Sequence, residues 1–225
     1  MNVRLDKYCG QLGILSRISI GKAIKAGLIL VDGEIATKSD QKLAFGQIIT
    51  YLEQDIVVKD SVYLLLYKPS WYVCSDIDEW WHASYKMLLQ DCPYHGMLHV
   101  AGRLDFDTEW LVLCSNDGQF THDIISPKKH LEKEYYVCTK NNVSNKDMEL
   151  LAWGVELDDG YFTLPAKVQK VDDTTIVLTI VEWKFHQVKR MLEAVGNEVI
   201  YLRRDRIGMR NLEGIEKGGW KYITV

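Results

Sequence analysis

The pattern of apolar and polar positions changes period several times along the chain. Residues 4–11 and 16–26 carry apolar side chains at helical spacing and predict two short helices, the second with Ser16 as N-cap and Gly27 placed to end it in a left-handed conformation. The period then shortens to two. Residues 28–31 and 34–36 flank Asp32-Gly33, a pair that accepts the positive φ angles of a primed hairpin turn. Polar residues over 53–61 predict a linker, and the β-prone run 62–67 opens a second region. Beyond it strands are predicted over 110–115, 134–139, 166–171, 174–181 and 198–202, with helices near 118–125, 146–152 and 187–195. Asp172-Asp173 joins two of these strands tightly, so the sheet is at least partly antiparallel. That excludes a doubly wound nucleotide-binding fold, and no GxGxxG or Walker-type loop is present. The expectation is an α+β chain with a small domain over 1–58 and a larger one over 59–225.

Composition narrows the class. With 225 residues, 47% of them hydrophobic, the chain can bury a full core. No apolar run approaches the roughly 20 residues that span a bilayer. Arg4, Asp6 and Lys7 interrupt the N-terminus where a signal peptide would be apolar, so a cytoplasmic protein without membrane attachment is expected. Five cysteines form no CxxC pair, and an odd count disfavours a disulfide framework. The net charge of −4 excludes a uniformly basic coat. Even so, residues 1–43 hold seven lysines and arginines against four acids, and residues 184–210 hold seven against three. Two basic regions in an acidic chain point to a polyanion gripped at two places.

The segment Ala101-Gly102-Arg103-Leu104-Asp105-Phe106-Asp107-Thr108 sets an acid beside an arginine in a stretch too polar to be core, followed by the apolar strand 111–114 and Asn116-Asp117-Gly118. Asp105 and Asp107 do not form the opposed pair of a glycosidase, whose carboxylates flank a sugar roughly 5 to 9 Å apart. Asp107 is assigned to positioning the loop. Cys92-x2-His95-x3-His99 resembles part of a metal site, but Pro93 and Gly96 disfavour a regular helix and no second ligand pair follows, so these residues, with the remaining histidines, are read as structural.

The Asp105 segment resembles the signature of the RsuA-type pseudouridine synthases, and further motifs follow in order. They are Lys68-Pro69 with Tyr72-Val73-Cys74-Ser75, Asp117 to His122, Ser126-Pro127, Glu132-Lys133-Glu134-Tyr135, Phe185-His186-Gln187-Val188-Lys189-Arg190-Met191, and Arg206-Ile207-Gly208. The helix–helix–hairpin at the start, opening with Arg-Leu-Asp-Lys-Tyr, resembles an S4-type RNA-binding module. The resemblance implies an S4-like domain followed by a catalytic domain with a mixed, largely antiparallel sheet. It implies isomerisation of uridine to pseudouridine in 16S ribosomal RNA, at uridine 516 in the family's numbering, with no cofactor and no metal. The substrate would be the RNA or a partly assembled 30S particle, and the enzyme a monomer. The family carry-over makes Asp105 the catalytic carboxylate, either nucleophile toward the sugar or base toward a ribose proton. Lys189 becomes its cationic partner, Tyr135 the ring that stacks on the target, and Arg103 the side chain that fills the space left by the flipped nucleotide. Arg4, Lys7, Arg17, Lys22, Lys25 and Arg190 become RNA contacts. A second class is a catalytically silent rRNA-binding or assembly factor that keeps the S4 grip.

Trp71, Trp110 and Trp183 stand where that family has glycine, a residue used for positive φ or close backbone approach. A single cause is a source codon for glycine read here as tryptophan, and Trp80, Trp81 and Trp153 are candidates for the same origin. The alternative is native rings that stack on RNA bases.

Overall fold

The computed structural model describes residues 2–225, apart from the side chain of Arg17. One unit comprises the residues up to Val62 with Leu89–His99 and Ser115–Asp117, and a second comprises Tyr63–Leu88, Val100–Cys114 and Gly118–Val225.

In the first unit β1 (Asn2–Arg4) runs into α1 (Leu5–Leu12), which buries Leu5, Tyr8, Cys9 and Leu12 along one helical face. The second helix, α2 (Arg17–Lys25), starts at Ser16, whose hydroxyl accepts from Ser19 N at 3.2 Å. Gly27 follows its end at φ 68°, as the capping pattern predicts. β2 (Ile29–Val31) and β3 (Glu34–Ile35) turn through Asp32 (φ 51°) and Gly33 (φ 84°), the expected primed hairpin. β4 (Lys42–Ala44) pairs with β1, while β5 (Ile48–Tyr51) and β6 (Gln54–Val57) complete a sheet of order β3-β2-β5-β6. The last hairpin corrects the expected linker over 53–61. Leu52 and Glu53 form its tip at φ 49° and 63°, and only Ile56 of β6 turns inward. The polar run is an edge strand, where charged side chains protect an open ladder.

The second unit contains β7 (Tyr63–Lys68), β8 (Tyr72–Val73), β9 (Ala83–Ser84), β10 (His99–Ala101), β11 (Glu109–Ser115), α3 (Gly118–Ile125), β12 (Lys133–Thr139) and α4 (Asn145–Trp153). β13 (Lys167–Lys170), β14 (Thr175–Ile180), α5 (Gln187–Ala194), β15 (Val199–Ile207) and β16 (Trp220–Tyr222) follow. The sheet order is β13-β14-β12-β15-β11-β7-β16, with β10 beside β11. β11 and β15 are parallel, whereas β12–β14, β12–β15, β13–β14 and β7–β16 are antiparallel. The sheet is therefore mixed and largely antiparallel, as expected. Leu65, Tyr67, Leu111 and Leu113 from central strands pack with Phe120 and Ile124 of α3, which explains why β7 and β11 read as continuous apolar runs.

β15 extends past the predicted 198–202 because its charges are satisfied within the fold. Arg203 pairs with Asp205 at 2.5 Å, Arg206 reaches Glu132 and Glu134 at 3.0 and 2.9 Å, and Arg204 is fully buried. The second basic run is thus mostly neutralised internally rather than a free polyanion grip.

Trp71 (φ 74°), Trp80 (φ 58°) and Trp110 (φ 94°) adopt left-handed backbone. A Cβ there crowds the following carbonyl at a cost of roughly 1–2 kcal/mol per residue. Trp183 is not among the residues with positive φ.

Candidate active site

Asp105 lies in the loop between β10 and β11, in a turn closed by Thr108 N donating to Asp105 O at 3.1 Å. Two buried cations fix this loop through its backbone. Arg204 of β15 donates from Nη2 to Gly102 O at 2.7 Å and Leu111 O at 2.9 Å, from Nε to Leu111 O at 3.1 Å, and from Nη1 to Arg103 O at 3.4 Å. Lys68, at the end of β7 and equally buried, donates to Pro69 O, Tyr72 O and Phe106 O at 3.0, 2.9 and 3.4 Å. The backbone before and after Asp105 is therefore held by a guanidinium and an ammonium whose hydrogen bonds all end on carbonyls. Burial lowers the Lys68 pKa to about 8, against the opposing influence of Cys74, Asp107 and Asp105.

Helix α5 supplies the facing side. His186, its N-cap residue at φ 50°, brings Nε2 to 3.4 Å from Asp105 Oδ1. One turn on, Lys189 Nζ lies 3.4 Å from Asp105 Oδ2. It also donates to both oxygens of Asp107, at 2.7 and 2.8 Å. The Asp105–Lys189 pair expected from sequence is brought together, but the shorter bonds of Lys189 go to Asp107. Asp107 thus orients the lysine as well as sitting in the loop.

Arg103, Asp105, Tyr135, Trp183, His186 and Gln187 are among the walls of a cavity that is open to solvent on one side. Tyr135 projects from β12 and is buried, and Arg103 is exposed at the rim. The segment leading to α5 is pinned by Glu182, itself 1% exposed. Its carboxylate accepts from Tyr161 OH at 2.6 Å, Leu164 N at 2.9 Å and Gln187 Nε2 at 2.8 Å.

The remaining basic positions differ in how free they are. Arg4 is held by Asp6 in a two-bond pair at 3.1 and 2.7 Å. Lys7, Lys22 and Lys25 are exposed, and the side chain of Arg17 lies outside the described residues. Arg190 binds Asp158 and Asp159, the latter at 2.8 Å, so its charge is engaged within the unit. Sequence reasoning assigned no role to Lys68, Glu182 or Arg204 and read His186 as structural, whereas the structure sets it against Asp105. The signal for His186 was its place just ahead of Gln187 and Lys189, whereas nothing in the sequence marks Arg204 as buried. Among the described residues no group of three or more His, Cys, Asp or Glu side chains could hold a metal, and no helix is long and apolar enough to cross a membrane.

Comparison with known proteins accounts for the arrangement. The family profile described as RNA pseudouridylate synthase matches residues 62–194, and the S4 domain profile matches residues 3–49. The ribosomal small subunit pseudouridine synthase A of Vibrio parahaemolyticus is 40% identical over 99% of this chain and 96% of its own. The protein of that name in Escherichia coli K12 shows the same identity over the same shares. A crystal structure of a pseudouridylate synthase superimposes with a TM-score of 0.69 at 36% identity, covering 99% of this chain and 96% of that one. With a full-length match of sequence and fold, this chain belongs to the RNA pseudouridylate synthase family and is an RNA pseudouridine synthase with an N-terminal S4 domain.

Proposed function

We propose that the enzyme isomerises one uridine of small-subunit ribosomal RNA to pseudouridine, at the position corresponding to uridine 516 in the family's numbering. The observation that carries this reading is the Asp105 carboxylate held between His186 and Lys189 beside a cavity that Tyr135 also lines. In the reaction the bond between uracil N1 and ribose C1′ breaks, the base turns, and C5 bonds to C1′ while its hydrogen leaves to solvent as a proton and N1 takes up a proton in exchange. Asp105 acts on the ribose, as nucleophile at C1′ or as base toward a ribose proton, with His186 and Lys189 each 3.4 Å from one of its oxygens. Tyr135 offers an aromatic face to the base, and Arg103 occupies the place of the extruded nucleotide. A few kcal/mol of unstacking is offset in this way.

The division into 1–58 and 59–225 assigns RNA gripping to the first domain, through Arg4, Lys7, Arg17, Lys22 and Lys25, with Arg190 a lesser contact because of its acidic partners. The substrate is free 16S RNA or a partly assembled 30S particle, met by a monomer in the cytoplasm. The test is tritium release from small-subunit RNA labelled at uracil C5, comparing the parent with Asp105→Asn on naked RNA and on assembly intermediates. Release by the parent alone supports the reading. One observation favours a silent rRNA-binding factor instead, namely that Trp183, where the family has glycine, stands in the wall of the cavity beside Asp105. RNA binding by both proteins without tritium release supports that second reading.

A further inference from the structure

Two buried polar atoms have no hydrogen-bond partner among the described residues, Thr108 Oγ1 and Gln187 Oε1, and both residues line the cavity beside Asp105. Thr108 is 1% exposed and Gln187 4%. A buried polar atom without a partner is costly, and in a site wall a ligand group can complete it. The orientation of Gln187 is fixed by chemistry. Its Nε2 donates to Glu182 Oε1 at 2.8 Å, and a carboxylate accepts only donors, so the amide oxygen is the atom left over. Glu182 is held in turn by Tyr161 OH and Leu164 N. Thr108 shares the tight turn with Asp105, and Gln187 stands between His186 and Lys189 at the start of α5.

We infer that Gln187 and Thr108 read the target base, Gln187 Oε1 accepting from the imino N3–H of uracil and Thr108 Oγ1 donating to a flanking carbonyl oxygen. This rests on the isomerase reading and adds its base specificity. Uracil presents acceptor, donor, acceptor along O2, N3–H and O4, a pattern symmetric about the axis through N3 and C6. Half a turn about that axis exchanges N1 with C5 and O2 with O4 while N3–H stays in place. The same two contacts therefore hold the base before and after its rotation, as an isomerase that keeps a detached ring requires. Cytosine has no hydrogen at N3 and an amino group in place of one carbonyl, which leaves Gln187 and Thr108 mismatched.

The test combines a substrate change with two variants. RNA tritiated at C5 of the target is prepared with uridine or N3-methyluridine at that position. The parent is expected to isomerise uridine at least about tenfold faster than the methylated base, as loss of one well-placed hydrogen bond to a buried group predicts. Thr108→Val and Gln187→Leu are expected to lose about tenfold in kcat/KM for uridine, and Gln187→Leu to narrow the discrimination. Thr108→Val should melt at or above the parent's temperature, because its hydroxyl has no partner among the described residues. A binding arm separates this inference from the isomerase reading: uridine monophosphate and its N3-methyl form are titrated into parent and Thr108→Val by calorimetry. Discrimination by the parent that weakens in the variant supports base reading even if no tritium is released. Equal binding of the two nucleotides, or parental rates in both variants, overturns it.

Discussion

Lys189 Nζ lies 2.7 Å from Asp107 Oδ1 but 3.4 Å from Asp105 Oδ2, so the lysine of α5 is anchored by one acid and leans on the other. Such an arrangement keeps the ammonium in place without neutralising Asp105 through a tight pair. Removing the charge of Asp107 by Asp107→Asn should let Lys189 shift, and the rate of tritium release should fall by between about tenfold and 10²-fold. Asp105→Asn should remove release altogether. A parental rate in Asp107→Asn would mean that the anchor does not matter.

Arg204 contributes fixed geometry rather than charge alone. Arg204→Lys loses the planar fork that reaches Gly102 O, Leu111 O and Arg103 O, and leaves buried carbonyls without donors. A loss of about 2–4 kcal/mol is expected from urea unfolding, together with reduced activity. A loss below about 1 kcal/mol would contradict the role of the fork.

Lys133 provides a pH test outside the site. It is buried, donates to Leu131 O at 3.0 Å, and burial, with repulsion from Arg204, lowers its pKa from 10.5 to about 8. A lysine with a lower pKa folded than unfolded is a liability while protonated, fully present below pH 8. As pH rises from about 8 toward 10.5 the unfolded chain holds the proton more tightly, so this group's contribution to stability improves. Lys133→Met should therefore match or exceed the parent at pH 7, and its advantage should shrink between pH 8 and 10. An advantage that does not change with pH across that window would contradict the assignment.

Trp71 and Trp80 are 64% and 90% exposed, so little packing offsets their left-handed backbone. Glycine at both should raise the melting temperature, by the strain relieved, roughly 1–2 kcal/mol each, less about 0.5–1 kcal/mol for the entropy of glycine. Trp220→Gly, in β16, should lower it. If the source codons specify glycine, peptides from the native cell will carry glycine at 71, 80, 110 and 183 and tryptophan at 220. Tryptophan at 71, 110 and 183, where the family has glycine, would remove that explanation.

RNA affinity should fall as salt rises, because phosphate contacts release counterions. Replacing exposed Lys22 or Lys25 by alanine should reduce the slope of log K against log salt by about one each. Arg190→Ala, already paired with Asp158 and Asp159, should change it far less.

Local signals carried much of the fold and less of the site. Ser16, Gly27 and the Asp32-Gly33 turn act through neighbours in sequence, so the S4-like elements were legible. β6 was not, because residues 54–57 become a strand only by pairing with β5. Asp105, Tyr135 and Lys189 were legible as motif residues, and the structure brings all three to one place. The carbonyl partners of Arg204 and Lys68 were not, since they depend on loops distant in sequence. Nor was the division of Lys189 between two acids, which is decided by fractions of an ångström.

The pairing of Trp220, Lys221 and Tyr222 with Leu66, Leu65 and Leu64 ties the last strand to the first of the catalytic unit. During synthesis from the N-terminus, β7 emerges early and waits for nearly all of that unit before β16 can cover its edge. An apolar strand with unmet backbone groups is what holding chaperones capture and what drives misassembly. A message truncated before codon 220 should thus yield aggregates rather than a weakened enzyme.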